Sequence, residues 1–221
     1  MPTTLYQGEE REYILKTLSS EIDFLNSKIK EMHQTDKELN DGVKILEEFN
    51  QPFTDDSQLY RRTFAFIAVL AIENDIVLKN LLFSKSEKED LPLIKNGIIT
   101  MQEGCKRLIG FYNNKGGDEM IKKSLLYKIS LKFKRDFPEI YSEFVQYIGR
   151  FRDKLQSDNT KKLRDTLVHF QEGNGEFNPF TFIEDISKIE VNDVFSILFD
   201  YCIFLRYTTQ LLGILIKLDR I

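Results

Sequence analysis

The chain has 221 residues, of which 42% are apolar and 30% charged, with 18 Phe, 5 Pro and no Trp. That balance excludes an intrinsically disordered chain, and a net charge of −4 excludes a uniformly basic nucleic-acid coat. Two cysteines without partners at metal-ligand spacing, Cys105 and Cys202, give no ground to expect a disulfide framework or a zinc site.

The first predicted element covers residues 9–33. Tyr13, Ile14, Leu18, Ile22, Leu25 and Ile29 recur at spacings of three and four, the pattern of one buried face on a helix. Thr35-Asp36 reads as a break before a short second helix through Val43, Ile45, Leu46 and Phe49, which Pro52 ends. Ser57 is placed to cap the next helix, 59–83. Phe64, Phe66, Ile67, Val69, Leu70 and Ile72 make that helix apolar nearly all round, so it is expected to run through the middle of a bundle.

Pro92 suits the first turn of a helix that continues through Ile94, Ile98, Met101, Cys105 and Leu108 to Phe111. Asn113-Asn114 and Gly116-Gly117 stop it. A helix over 118–135 follows, and after Pro138 a longer one runs from Glu139 toward Val168, with 157–159 either an interruption or part of its wet face. Residues 171–179 read as a loop, and the last helix as 191–218. No period-two alternation long enough for a strand occurs. The fold class expected is therefore all-α, an antiparallel helical bundle with short connections.

Neither apolar run suits a bilayer. Residues 64–72 are too few, and 194–218 contain Asp200, Arg206, Thr208, Thr209 and Gln210. Residues 1–12 lack the basic and apolar regions of a secretory leader. A cytoplasmic protein with reduced, buried thiols and no membrane partner is expected.

Charge is unevenly spread. Residues 1–60 carry a net −7 and residues 121–170 a net +6. Inside the basic third, Lys161-Lys162-Leu163-Arg164-Asp165-Thr166-Leu167-Val168-His169 is the one stretch where reactive groups converge. On an unbroken helix, Arg164 and His169 lie ~7.5 Å apart along the axis and ~140° apart around it. They meet only if the helix frays, or if they line a pocket against another helix or subunit. A plainer reading has His169 favoured by the helix C-terminal dipole and Arg164 paired to a surface carboxylate.

The order Arg164, Asp165, then His169 after four intervening residues, late in a helical bundle, resembles the HEPN superfamily. The resemblance implies a HEPN-like core over 56–221, with 1–55 as a helical extension packed on it. It also implies a homodimer whose paired motifs form one cleft for metal-independent RNA cleavage, in a toxin or defence system with a neutralising partner. His169 would be the base and Arg164 the phosphate clamp, oriented by Asp165, while Lys161 and Lys162 bind substrate backbone. No cofactor or metal is implied. Members that have lost catalysis serve as interaction modules, which stands as the alternative.

Glu73-Asn74-Asp75 interrupts the most apolar helix. Either Glu73 or Asn74 orients Arg164 or His169, or the cluster marks where the helix emerges into solvent; the second is preferred. Arg61-Arg62 reads as a solvated first turn and His33 as exposed.

Overall fold

The computed structural model describes residues 6–48, 56–84, 87–112, 117–134, 137–157, 160, 163, 165, 189 and 191–218. Among them, helices are the only regular elements: α1 (Gly8–Glu48), α2 (Asp56–Phe83), α3 (Glu87–Leu108), α4 (Glu119–Lys123), α5 (Leu125–Phe133), α6 (Pro138–Leu155) and α7 (Val191–Leu218). The all-α bundle expected from periodicity is what the chain forms.

α2 packs against α1, α3 and α7, and α3 also touches α7. This follows from its all-round apolar surface: Phe64, Ile67, Ala68, Leu70, Ala71, Val77, Leu78 and Leu81 are all buried. α3 contributes Ile98, Met101, Cys105 and Leu108, and α7 contributes Leu198, Tyr201, Phe204 and Leu205. Leu18, Leu25 and Met32 of α1 join the same core. Each such aliphatic side chain removed from water contributes roughly 1.5–3 kcal/mol. Two glycines, two turns apart on α3, let the helices approach closely. A Cβ on Gly97 would lie 3.0 Å from both Leu198 Cδ1 and Val77 Cγ1, and one on Gly104 would lie 2.7 Å from Leu70 Cδ2.

Several sequence expectations change. Ser57 is not the cap of α2, which begins one residue earlier, at Asp56. α1 is continuous through Thr35-Asp36. Thr35 Oγ1 donates to Glu31 O at 3.0 Å, and the Asp36 carboxylate is held by Arg62 at 3.2 Å, so neither side chain is drawn into a turn. The helix expected over 118–135 is broken at Ser124, whose ψ is 156° and whose hydroxyl donates to Ile121 O at 2.7 Å. α3 begins at Glu87, so Pro92 lies beyond the first turn and leaves the Lys88 carbonyl without its intrahelical donor. Of the Arg61-Arg62 pair only Arg62 is solvated; Arg61 is 2% exposed. His33 is exposed, as expected.

α3 ends at Leu108, short of the Phe111 expected, and the chain turns at Gly110, where φ is 67°. A side chain there would be strained in φ and would collide with the backbone, since its Cβ would lie 2.4 Å from Met120 O and 2.6 Å from Ile121 Cα.

Candidate functional site

The motif follows α6 in the chain, and the end of that helix is firmly held. Arg152, in the last turn of α6, is buried; its Nε donates to Gly110 O at 2.9 Å and its Nη2 to Ile109 O at 2.8 Å. Its guanidinium also lies over the Tyr112 ring, 5.6 Å from the centroid. Gln156 adds a second tie, accepting from Tyr112 N at 3.0 Å and donating to Tyr112 O at 3.3 Å. The end of α6 is thereby clamped to the end of α3.

α6 closes at Leu155, so the single helix expected from Glu139 toward Val168 ends there; of the candidate interruption only Ser157 lies among the described residues. Ser157 Oγ accepts from Thr160 N at 3.4 Å and lies 3.2 Å from Thr160 Oγ1, the three-residue spacing of a helix cap. Thr160 Oγ1 donates back to Lys154 O at 3.1 Å. Thr160, Leu163 and Asp165 are helical. Thr160 is buried, Leu163 packs against the core, and Asp165 is exposed. Lys161, Lys162, Arg164 and His169 lie outside the described residues.

Of the two side chains offered as orienting groups, Glu73 is exposed on α2. Asn74 is 2% exposed, and its Nδ2 donates to Leu198 O at 3.1 Å, bridging α2 to α7. The Glu73–Asp75 cluster therefore does not mark where α2 emerges into solvent: Asn74 and Asp75 are both buried, and α2 continues to Phe83. A reach from Glu73 or Asn74 to Arg164 or His169 falls on residues outside the described ones.

A second constellation, not anticipated from the sequence, lies where α1, α2 and α7 meet. Asp75 is 0% exposed. Its Oδ1 accepts from Cys202 Sγ at 3.3 Å, and among the described residues its Oδ2 has no hydrogen-bond partner. Ligand-type atoms of Glu21, Asp75 and Cys202 all lie within 4.8 Å of one another. Arg206, one turn beyond Cys202 on α7, pairs through Nη2 with Glu21 Oε2. The α1 side is the wetter one: the side chains of Glu21 and Arg206 keep 17% and 28% exposure.

The electrostatics follow from burial. Loss of water, and then the Glu21 charge, push the Asp75 carboxyl up to about 7; the Cys202 hydrogen bond and Arg206 only partly offset this. Burial, then the Asp75 charge, push the Cys202 thiol up. Burial works against the Arg206 cation, but the Glu21 partner outweighs it and its pKa rises. The signal in sequence was the Glu73–Asp75 cluster inside the apolar α2 and a lone base, Arg206, in the apolar α7. Their pairing with Glu21 spans three distant segments, and no local pattern reveals it.

Scans against family models, characterised proteins and solved structures return no match to this chain.

Proposed function

We propose that the chain is a metal-independent endoribonuclease of the HEPN type, acting as a homodimer in a toxin or defence setting, with a neutralising protein partner. The observation that carries this reading is Asp165, helical and exposed, which stands in the sequence between Arg164 and His169. The clamp of Arg152 and Gln156 on the end of α3 supports it, since a site mounted on a fixed element can hold its geometry.

In this reading the His169 imidazole takes the proton from a ribose 2′-hydroxyl. The 2′-oxygen attacks the adjacent phosphorus, the bond to the 5′-oxygen breaks, and that oxygen leaves with a proton from water. The products are a 2′,3′-cyclic phosphate and a 5′-hydroxyl. Arg164 offsets charge on the phosphoryl oxygens with its planar fork, Asp165 orients the pair, and Lys161 and Lys162 steer the strand.

The test is purified protein with single-stranded RNA in excess chelator. Cleavage to cyclic-phosphate ends is expected. His169→Ala should abolish it and Arg164→Ala should slow it by roughly 10²-fold or more, with helicity and melting temperature nearly unchanged. RNA left intact by the wild type, or cleaved equally by both variants, refutes the assignment.

A second reading, a non-catalytic interaction module, is favoured by α1. Tyr13 and Phe24 stand 72% and 56% exposed there, in the acidic part of the chain. Tight partner binding that survives both substitutions would select it.

A further inference from the structure

We propose that Glu21, Asp75 and Cys202 form a binding site for one thiophilic divalent cation of the zinc class, tying α1, α2 and α7 together. The inference is independent of the nuclease reading.

Geometry comes first. Tetrahedral zinc, with Zn–S of about 2.3 Å and Zn–O of about 2.1 Å, sets its sulfur and oxygen ligands ~3.6 Å apart. Cys202 Sγ and Asp75 Oδ1 already stand 3.3 Å apart, and the ligand-type atoms of the trio lie within 4.8 Å of one another. Any adjustment that closes the set falls to Glu21, the least buried of the three.

A second, independent observation points to a missing partner. Asp75 is fully enclosed, yet its Oδ2 receives no hydrogen bond from the described residues. A buried carboxylate oxygen without a donor is costly, and a cation chelated by both Asp75 oxygens, Oδ1 and Oδ2, satisfies it.

Charge closes the case. Two carboxylates and a thiolate carry −3; one divalent cation and the Arg206 guanidinium carry +3. The loaded site is neutral, as buried sites must nearly be. Arg206 does not exclude the cation, because it holds Glu21 through Oε2 and a carboxylate offers a second oxygen. Binding breaks the Cys202 S–H bond, forms the S–metal bond and releases the proton to water. Any proton held by Asp75 leaves in the same way. Both Asp75 oxygens, the Cys202 sulfur and one Glu21 oxygen then make four ligands. The mixed thiolate–carboxylate set selects zinc or cobalt over magnesium or calcium.

The experiment uses the full chain, freed of metal by chelator and dialysis, titrated with Co²⁺ and with Zn²⁺ alone. Expected are saturation at one Co²⁺ per chain with a near-ultraviolet thiolate-to-cobalt band, and displacement of that band by Zn²⁺. Zinc at about a hundredfold over its Kd should raise the melting temperature by roughly 5–10 °C. Cys202→Ser should lose the band and most of the thermal shift, while Cys105→Ser, altering the other buried thiol, keeps both. Should Cys202→Ser fail to fold, Glu21→Gln replaces it, with at least a tenfold weaker Co²⁺ titration expected. No thiolate band at one equivalent, a band that survives Cys202→Ser, or unchanged affinity in Glu21→Gln overturns the proposal.

Discussion

Asp75 shows what a single buried carboxyl does to a helical core. Its ordinary pKa is 3.8, and in the fold it is pushed up to about 7. Between those values the folded chain keeps a proton that the unfolded chain has released, so stability falls as pH rises through the window. Below about 4 the two states match, and above 7 the full penalty applies. In chelator, raising the pH from 5 to 8 should cost the wild type roughly 3 kcal/mol more than it costs Asp75→Asn. Urea denaturation of both proteins at the two pH values measures this, and parallel pH profiles would show that Asp75 does not titrate in the fold. The sequence displayed this acid inside an apolar run. It did not display Cys202, 127 positions away, or Glu21, and so the burial of Asp75 was legible only after folding.

At the scale of elements, much of the architecture is written locally. Apolar spacing gave α7 its ends, and the continuous apolar surface of α2 placed it at the centre. Local reading failed where side chains found distant or unusual partners. Asp36 looked like a turn residue, but its carboxylate is engaged by Arg62 of the next helix, and α1 runs on. Ser124 looked like a helical residue, but it adopts an extended conformation between two short helices. Gly110 is the most demanding joint, because its left-handed φ coincides with backbone contact from the start of α4. Gly110→Ala should lower stability by roughly 1–3 kcal/mol, seen as a drop of several degrees in melting temperature. A variant as stable as the parent would mean that this junction relaxes freely.

For the whole molecule, one helix enclosed by three others implies a gradient of local stability. Amides in the middle of α2 should exchange with solvent most slowly, near the rate set by global unfolding. Those of α4, which has no buried residue, should exchange fastest among the described helices. Hydrogen-exchange mass spectrometry decides this, and equal protection of α2 and α4 would contradict the packing described. The candidate motif was legible as chemistry, a cation and an imidazole in a basic segment. Its spatial arrangement was not, because a helical spacing of five residues fixes neither a shared face nor a partner surface.

Arg152 carries a last consequence. Its two charged hydrogen bonds cap carbonyls at the close of α3, and the same side chain anchors the final turn of α6. A displacement of that turn would strand a buried cation and leave two carbonyl oxygens dry, so helices far apart in sequence must shift as one piece. The turn that leads toward Asp165 is thus pinned to a helix end some forty residues earlier in the chain.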